Sequence, residues 1–199
     1  MIQYTDIVRY DNLSFEDYLK LPGYSHSFLK SNIQGVRKFI DVTENMRVGS
    51  MVDAILTEPA KADMSSELYP HCKAIAFELK KMFGDVMLAC KKQISYTAKA
   101  TFNGLSIDTT GRLDFLLEGA AVIDLKITMS KDVDALIKYM GYENQVWHYS
   151  KMANVSKAYL IMYCVPLKKV IIKYIDTSSN MNEFWVNKII DFGMVPETV

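Results

Sequence analysis

The amino-acid sequence predicts an α/β fold in which helices flank a central mixed β-sheet. Apolar residues recur at helical spacing in the N-terminal part, and the period changes to two from Gln93 onward. Helical and strand patterns then alternate from Val133 to the C-terminus. At 199 residues the chain is short enough for one domain. We expect this domain to span residues 1–199, with a helical N-terminal part over about 1–90 and an α/β core over about 91–199.

Several helices are predicted in the N-terminal part. Ser14 begins a Ser-x-x-Asp pattern typical of a helix start, and a second helix is expected from about Ser25. A third, amphipathic helix should end before Pro59, because five apolar residues recur at i, i+3, i+4, i+7 and i+8, namely Val48, Met51, Val52, Ile55 and Leu56. A further helix over about 71–83 would bury Cys72, Ile75, Ala76, Leu79 and Met82.

The α/β core should begin with three consecutive antiparallel strands. The segment QISYTAKATF leads into Asn103-Gly104, which is a strong signal for a hairpin turn. A second turn at Glu118-Gly119 separates LSIDTTGRLDFLL from AAVIDLKIT. Helical spacing then returns after Val133 and again over about 142–154, beyond Gly141. Two more strands in KAYLIMYCV and KKVIIKYI, and a helix over about 182–192, complete the order.

Composition and charge exclude several classes of protein. Lys plus Arg and Asp plus Glu each number 23, so any attraction to a polyanion must come from local groups such as Arg37-Lys38. No apolar run is long enough to span a membrane, and the acidic N-terminus does not resemble a signal peptide. We therefore expect a cytoplasmic protein with no membrane partner. The cysteines at 72, 90 and 164 have no paired spacing and are expected to be buried or idle thiols.

The segment GRLDFLLEGAAVIDLKIT contains the residues best suited to chemistry. Asp124 and Lys126 are two apart in a strand and share a face, while Leu125 points into the core. Asp114 would lie opposite them if its strand pairs with theirs through the Glu118-Gly119 turn. An ordinary ion pair on a sheet face is the alternative. However, Asp124 interrupts a run that is otherwise apolar enough for a buried strand, where an unpaired acid is costly.

A divalent cation would explain two carboxylates on one patch of sheet, because it offsets their mutual repulsion. Carboxylate oxygens suit Mg²⁺, and Mn²⁺ is bound by the same oxygens. Such a cation can bind a substrate phosphate and make a bound water more acidic, as phosphodiester hydrolysis requires. Lys126 could orient that water or offset developing negative charge. The pattern therefore predicts a Mg²⁺-dependent site for phosphodiester hydrolysis at Asp114, Asp124 and Lys126.

These segments resemble the PD-(D/E)-x-K nuclease superfamily, and within it the lambda-exonuclease and exonuclease VIII branch. GRLDFLL followed by VIDLKIT is similar to the catalytic core, with Leu113 where proline often stands. YSHSFLKS is similar to a serine-containing helix start of that branch, and VGSMVDAILTEP to its Gly-x-x-x-His helix leading into Leu-x-x-Pro. YENQVWHYSKM is similar to its Tyr-x-x-Gln-x-x-x-Tyr helix, and the four matches follow family order over about residues 24–175.

The resemblance implies a restriction-endonuclease-like core and a Mg²⁺-dependent deoxyribonuclease. The implied activity is that of an exonuclease acting on duplex DNA ends in phage-type recombination, within a bacterial host cell. Relatives of this kind work with a single-strand annealing protein and assemble as rings, so the resemblance implies a homo-trimer or homo-tetramer. DNA and the annealing protein are therefore the expected partners.

The resemblance also assigns roles to individual residues. The implied catalytic residues are Asp114, Asp124, Lys126, Gln145 and Tyr149. The implied metal ligands are Asp53, Asp114, Asp124 and the backbone carbonyl of Leu125. The residues expected to contact DNA are Ser27, Lys30, Arg112, Thr128 and Tyr142. Of these, Ser27, with Lys20 or Lys30 as a nearby cation, would hold a 5′ phosphate.

Two residues depart from the family pattern and keep other functions open. Asp53 occupies the position of a metal-binding histidine, where aspartate is a harder ligand that adds negative charge. A solvated acid beside an amphipathic stripe is the other interpretation of Asp53. Gln93 stands where many relatives have an acid. An endonuclease with the same core and a catalytically silent DNA-binding relative therefore stay as alternatives, and His148 is interpreted as a surface or packing residue.

Overall fold

The computed structural model describes residues 1–31 and 43–193, so the basic pair Arg37-Lys38 lies outside the described residues. Within these residues, seven strands form one mixed sheet, comprising β1 Gln3–Tyr10, β2 Tyr24–Ser25, β3 Lys91–Phe102, β4 Leu105–Leu117, β5 Ala121–Thr128, β6 Lys157–Cys164 and β7 Lys169–Ile175. The strand order is β1-β3-β4-β5-β6-β7, with the short β2 pairing with β4.

Helices cover this sheet and connect its strands. They are α1 Phe15–Tyr18, α2 His26–Ser31, α3 Glu44–Thr57, α4 Tyr69–Ala89, α5 Val133–Met140, α6 Tyr142–Met152 and α7 Glu183–Phe192. The predicted α/β fold with a central mixed sheet is confirmed, and it agrees with the restriction-endonuclease-like core that the resemblance implies. In the described residues, no helix is both long and apolar enough to cross a membrane.

The predicted three-stranded meander is also confirmed. β3 pairs antiparallel with β4 through the turn at Asn103-Gly104, where both residues have positive φ, 50° and 79°. β4 then pairs antiparallel with β5 beyond the second turn, where Gly119 has a φ of 66°. β5 and β6 run parallel, so α5 and α6 form the crossover between them.

Two clusters of buried side chains lie on opposite faces of the sheet. Neighbouring residues of β6 demonstrate the division, because Met162 belongs to one cluster and Tyr163 to the other. The first cluster includes Trp185 of α7, which is fully buried. The second cluster includes Leu79 of α4 and Val52 of α3. The helices are therefore held on the sheet by their apolar faces.

The local signals predicted for helix starts are confirmed. The Ser14 hydroxyl accepts a hydrogen bond from the backbone N–H of Asp17 at 3.0 Å, which caps α1. The Ser25 hydroxyl accepts a hydrogen bond from the N–H of Phe28 at 3.2 Å, at the start of α2. Gly141 has a left-handed φ of 65° and joins α5 to α6.

The structure corrects the sequence prediction for the N-terminal part at two places. This part is not entirely helical, because β1 adds an edge strand beside β3. The strand is mostly exposed, and its pairing with β3 shifts between Thr5 and Val8. Its apolar and polar residues therefore do not alternate in the way that would predict a strand. In α4, four of the five residues predicted to be buried are buried, but Met82 is 55% exposed because the next residue, Phe83, packs on the cluster instead.

The cysteines are buried, as expected from the sequence. All three cysteines are free and buried. Burial raises the pKa of Cys72 and of Cys90 above the ordinary value, and this keeps both thiols protonated.

Candidate active site

The candidate active site lies where β4 and β5 separate. Their ladder runs from Leu117 paired with Ala121 to Phe115 paired with Ile123, and it stops before the next two residues, Asp114 and Asp124. Beyond this point β4 continues between β3 and β2, while β5 continues beside β6. The two aspartates therefore face each other at the fork, where the backbone ladder no longer fills the space between the strands.

Asp124 and Lys126 share one face of β5, as their spacing predicts. Nζ of Lys126 lies 2.6 Å from Oδ2 of Asp124, and Asp124 is only 2% exposed. Leu125 between them is buried in the second cluster. Burial disfavours the charged Lys126 ammonium, but Asp124 and Asp114 outweigh burial and raise the pKa of Lys126, so it stays a cation.

Asp114 is held against the backbone of β5. Its Oδ2 accepts a hydrogen bond from the N–H of Leu125 at 2.8 Å. Burial raises the pKa of Asp114 well above its ordinary value, and the neighbouring Asp124 carboxylate raises it further. The structure thus brings Asp114, Asp124 and Lys126 together, and burial beside Asp124 disfavours the ionised form of Asp114.

Asp53 of α3 approaches the same group of charges. Burial raises the pKa of Asp53 to about 6, with Asp124 adding to the rise and Lys126 opposing it. Both carboxylate oxygens accept hydrogen bonds from Nε2 of Gln93, at 3.0 and 3.2 Å. Asp53 therefore lies close enough to Asp124 and Lys126 for their charges to influence its pKa. Its carboxylate is partly buried and hydrogen-bonded to a neutral amide. This excludes the alternative of a merely solvated acid.

The helix α6 brings its predicted face to the site. The amide of Gln145 donates a hydrogen bond to the Tyr149 hydroxyl at 2.7 Å. The pKa of Tyr149 is raised well above its ordinary value, first by burial and also by the charge of Asp124. The Lys126 ammonium lies 5.4 Å from the centre of the Tyr142 ring. These three residues thus share one helix face, as their i, i+3 and i+7 spacing predicts.

Gly111 allows Tyr149 to pack so closely. A Cβ atom at Gly111 would lie 2.8 Å from Cε1 of Tyr149 and 3.1 Å from the Met152 sulfur. A side chain on β4 at this position would displace the tyrosine from the fork.

The residues predicted to contact DNA differ in exposure and in their contacts. Ser27 is exposed on α2, whereas Nζ of Lys30 lies 3.4 Å from the Met140 sulfur and 4.8 Å from the Tyr139 ring centre. Thr128 is buried at the end of β5, where its hydroxyl accepts a hydrogen bond from the Ser130 N–H.

Arg112, a further residue predicted to contact DNA, has a side chain that is only 8% exposed. Its guanidinium group contacts the backbone oxygen of Leu13, the amide of Gln93 and, at 3.8 Å, Glu58. In this structure, the guanidinium group is used in contacts within the protein.

Two features of the site were not predicted from the sequence. Glu58 contributes to the raised pKa of Asp53 and contacts Arg112, but a single acid before a proline carries no signal of this. Gln93 was noticed only as a departure, and its bonds to Asp53 and Arg112 depend on the fold. Of the two roles considered for His148, surface or packing residue, the structure shows packing. The side chain is fully buried and stacks on Trp185 with ring centres 3.8 Å apart.

The residues at the fork fit a divalent cation in part. Carboxylate oxygens from Asp114 and Asp124 are the ligands that Mg²⁺ prefers, and Mg²⁺ usually needs only one or two of them. Oδ2 of Asp124 is buried and, among the described residues, has the ionic contact with Lys126 but no hydrogen bond. Across residues 1–31 and 43–193, however, no three His, Cys, Asp or Glu side chains are gathered as a metal cluster. Asp53, the third predicted acidic ligand, is hydrogen-bonded to Gln93 in this arrangement.

Comparison with known proteins supports the fold. A solved protein from Eubacterium rectale, provisionally named an exonuclease, is similar with a TM-score of 0.59 and 15% sequence identity, over 90% of this chain and 82% of that chain. A second structure, of SSO0001, is 15% identical over 90% of this chain and 84% of that chain, but its TM-score of 0.44 is too low to support an argument. No family model and no curated protein matches the chain. The likeness therefore concerns the fold alone.

Proposed function

We propose that this protein is a Mg²⁺-dependent deoxyribonuclease that hydrolyses DNA phosphodiester bonds at the β4–β5 fork. The observation that carries this proposal is the convergence of Asp114, Asp124 and Lys126, with 2.6 Å between the ammonium and one carboxylate oxygen. Two buried acids beside one another are costly in a site without a cation, and functional sites are where such costs are found. The name of the Eubacterium rectale protein is compatible with this activity.

Each residue at the fork has a role in this proposal. The cation would be held by Asp114, Asp124 and the Leu125 carbonyl, with Asp53 as a further ligand. When bound, it would supply charge to the phosphate and acidify a water. Lys126 contributes a fixed positive charge beside the scissile phosphate, because its pKa is raised and the neighbouring acids hold its ammonium in place. Gln145 and Tyr149, which are bonded to each other at 2.7 Å, would orient the phosphate next to Lys126.

The finer assignment follows the sequence motifs. We propose an exonuclease that acts on duplex DNA ends in phage-type recombination, as a ring-like homo-oligomer alongside a single-strand annealing protein in a bacterial cell. Ser27, which is exposed on α2, would contact the DNA, with Lys30, Thr128, Tyr142 and Arg112 as further candidates. The order of the four motifs along the chain supports this branch.

The nuclease proposal is tested with end-labelled linear duplex DNA in Mg²⁺. Wild type should release labelled nucleotides, whereas Lys126→Ala and Asp124→Asn should each lose at least about a hundredfold in rate, as loss of a charge-stabilising group typically causes. Lys99→Ala is the matched control, because Lys99 forms an exposed ion contact of 3.9 Å with Asp6 on the edge strand. Equal digestion by all four proteins would exclude the fork as the catalytic site. Cleavage of a closed circular duplex would instead identify an endonuclease.

A catalytically silent DNA-binding relative is the second candidate. It is favoured by one observation, that the described residues hold no three-acid cluster and that Asp53 faces Gln93. Titration calorimetry with Mn²⁺ separates the two functions. A silent relative should give the same heats for wild type and Asp124→Asn, whereas an active site should lose the metal-binding heat in the variant.

A further inference from the structure

Gln93 connects two charged groups from different parts of the chain. Its Nε2 donates hydrogen bonds to both carboxylate oxygens of Asp53, and its Oε1 accepts one from Nε of Arg112 at 2.7 Å. Because arginine can only donate, the oxygen of the Gln93 amide must face Arg112 and the NH₂ group must face Asp53. The hydrogen-bond pattern thus fixes the orientation of this amide.

Several contacts hold Arg112 in place beside the Gln93 amide. Its Nη1 donates to the Leu13 backbone oxygen at 2.8 Å, and its Nη2 lies 3.8 Å from Glu58. The guanidinium group also lies 5.9 Å from the centre of the Phe15 ring. A side chain held from three directions and 8% exposed forms a rigid support for its neighbour.

The backbone conformation of Gln93 also indicates that its side chain has a role. Gln93 has a left-handed φ of 54°, which is unfavourable for a non-glycine residue and which glycine adopts freely. Its neighbours pair regularly with β4, as Lys92 with Phe115 and Ile94 with Leu113, while Gln93 itself is unpaired opposite Asp114. A strained glutamine beside the candidate site indicates that its side chain contributes something a glycine would not.

We propose that Gln93 is a positioning residue, which holds the Asp53 carboxylate in one orientation beside the Asp114–Asp124 pair and so strengthens binding of the divalent cation. This inference rests on the metal site proposed above. Gln93 acts through Asp53, and Arg112 acts through Gln93. A carboxylate has about four lone-pair sites, so the two hydrogen bonds from the neutral Gln93 amide leave Asp53 able to bind a cation.

The test is a double-mutant cycle on Mn²⁺ affinity, measured by titration calorimetry. Gln93→Met keeps the size of the side chain but removes the donor. We expect it to weaken Mn²⁺ binding about tenfold or more, which is typical when a support of a metal ligand is lost. In the Asp53→Asn background the same change should have little further effect. Gln3→Met, at an exposed glutamine of β1, is the matched control and should bind as wild type does.

A second variant covers the case in which Gln93→Met does not fold. Gln93→Gly relieves the left-handed backbone, so it should fold and still show the weakened binding. Unchanged or tighter Mn²⁺ binding in a folded Gln93 variant would overturn the role of Gln93, and so would an equal effect in both Asp53 backgrounds. Absence of Mn²⁺ binding that depends on Asp124 in the wild type would instead overturn the proposed function.

Discussion

Replacing Asp53 with asparagine should stabilise the metal-free protein while weakening its binding of metal. Burial raises the pKa of Asp53 from 3.8 to about 6. Since each pKa unit corresponds to about 1.4 kcal/mol, keeping this carboxylate ionised costs the folded protein about 3 kcal/mol at pH 8. Asparagine avoids that cost but must turn its own NH₂ group toward Gln93. We therefore expect a net gain of about 1–3 kcal/mol in the free energy of unfolding.

The dependence on pH is the sharper part of this prediction. Above pH 6 the Asp53 carboxyl is ionised in both the folded and the unfolded chain, so its full cost applies. Below pH 6 the folded chain takes up a proton while the unfolded chain remains ionised down to 3.8, so the cost fades. The advantage of Asp53→Asn over wild type should therefore shrink by about 1.5 kcal/mol between pH 8 and pH 5.

Urea unfolding followed by circular dichroism in EDTA measures both quantities. Asp108→Asn is the matched control, because Asp108 is exposed on β4. Adding Mn²⁺ should reduce the advantage of the variant, because a ligand at a hundred times its Kd stabilises wild type by about 2.7 kcal/mol and the variant, which binds more weakly, by less. A variant less stable than wild type at pH 8, or an advantage that is the same at pH 5, would refute the reasoning.

Two further predictions concern packing behind the site. Burial lowers the pKa of His26 to about 3, so His26 by itself should contribute a loss of about 2 kcal/mol of stability as pH falls from 7 to 5, opposed by the gain from Asp53 over the same range. His26→Leu should lose correspondingly less in urea unfolding, and equal losses would contradict this. Gly111→Ala should cost about 1–3 kcal/mol and reduce nuclease activity, because the new Cβ would lie 2.8 Å from the Tyr149 ring. Gly84→Ala in α4, where nothing lies within 4 Å, is its control and should be neutral or slightly stabilising. A Gly111→Ala protein as stable and active as the control would argue against close packing at the fork.

Much of the sheet could be predicted because its signals are local. A strand alternates every second residue, and Asn103-Gly104 has the backbone freedom that a tight hairpin needs. The same geometry puts Asp124 and Lys126 on one face without any knowledge of the fold. The strand β1 was not predicted, because its residues are mostly exposed and show no strand pattern. Its position at the edge of the sheet depends on pairing with β3, which is distant in the chain.

The sequence by itself determined which residues could carry the chemistry, because residue type and strand period fix the charges and the faces they occupy. Only the tertiary structure decided how those charges are held. β4 pairs with β5 only up to Phe115 and with β2 at Thr109 and Thr110, so the separation of the two strands at Asp114 depends on the whole sheet. The contact of Asp53 with Gln93 joins α3 to β3, forty residues along the chain, and the contact of Gln93 with Arg112 extends it to β4. Such contacts have no periodicity in sequence, because they arise only when packing brings distant elements within hydrogen-bond distance.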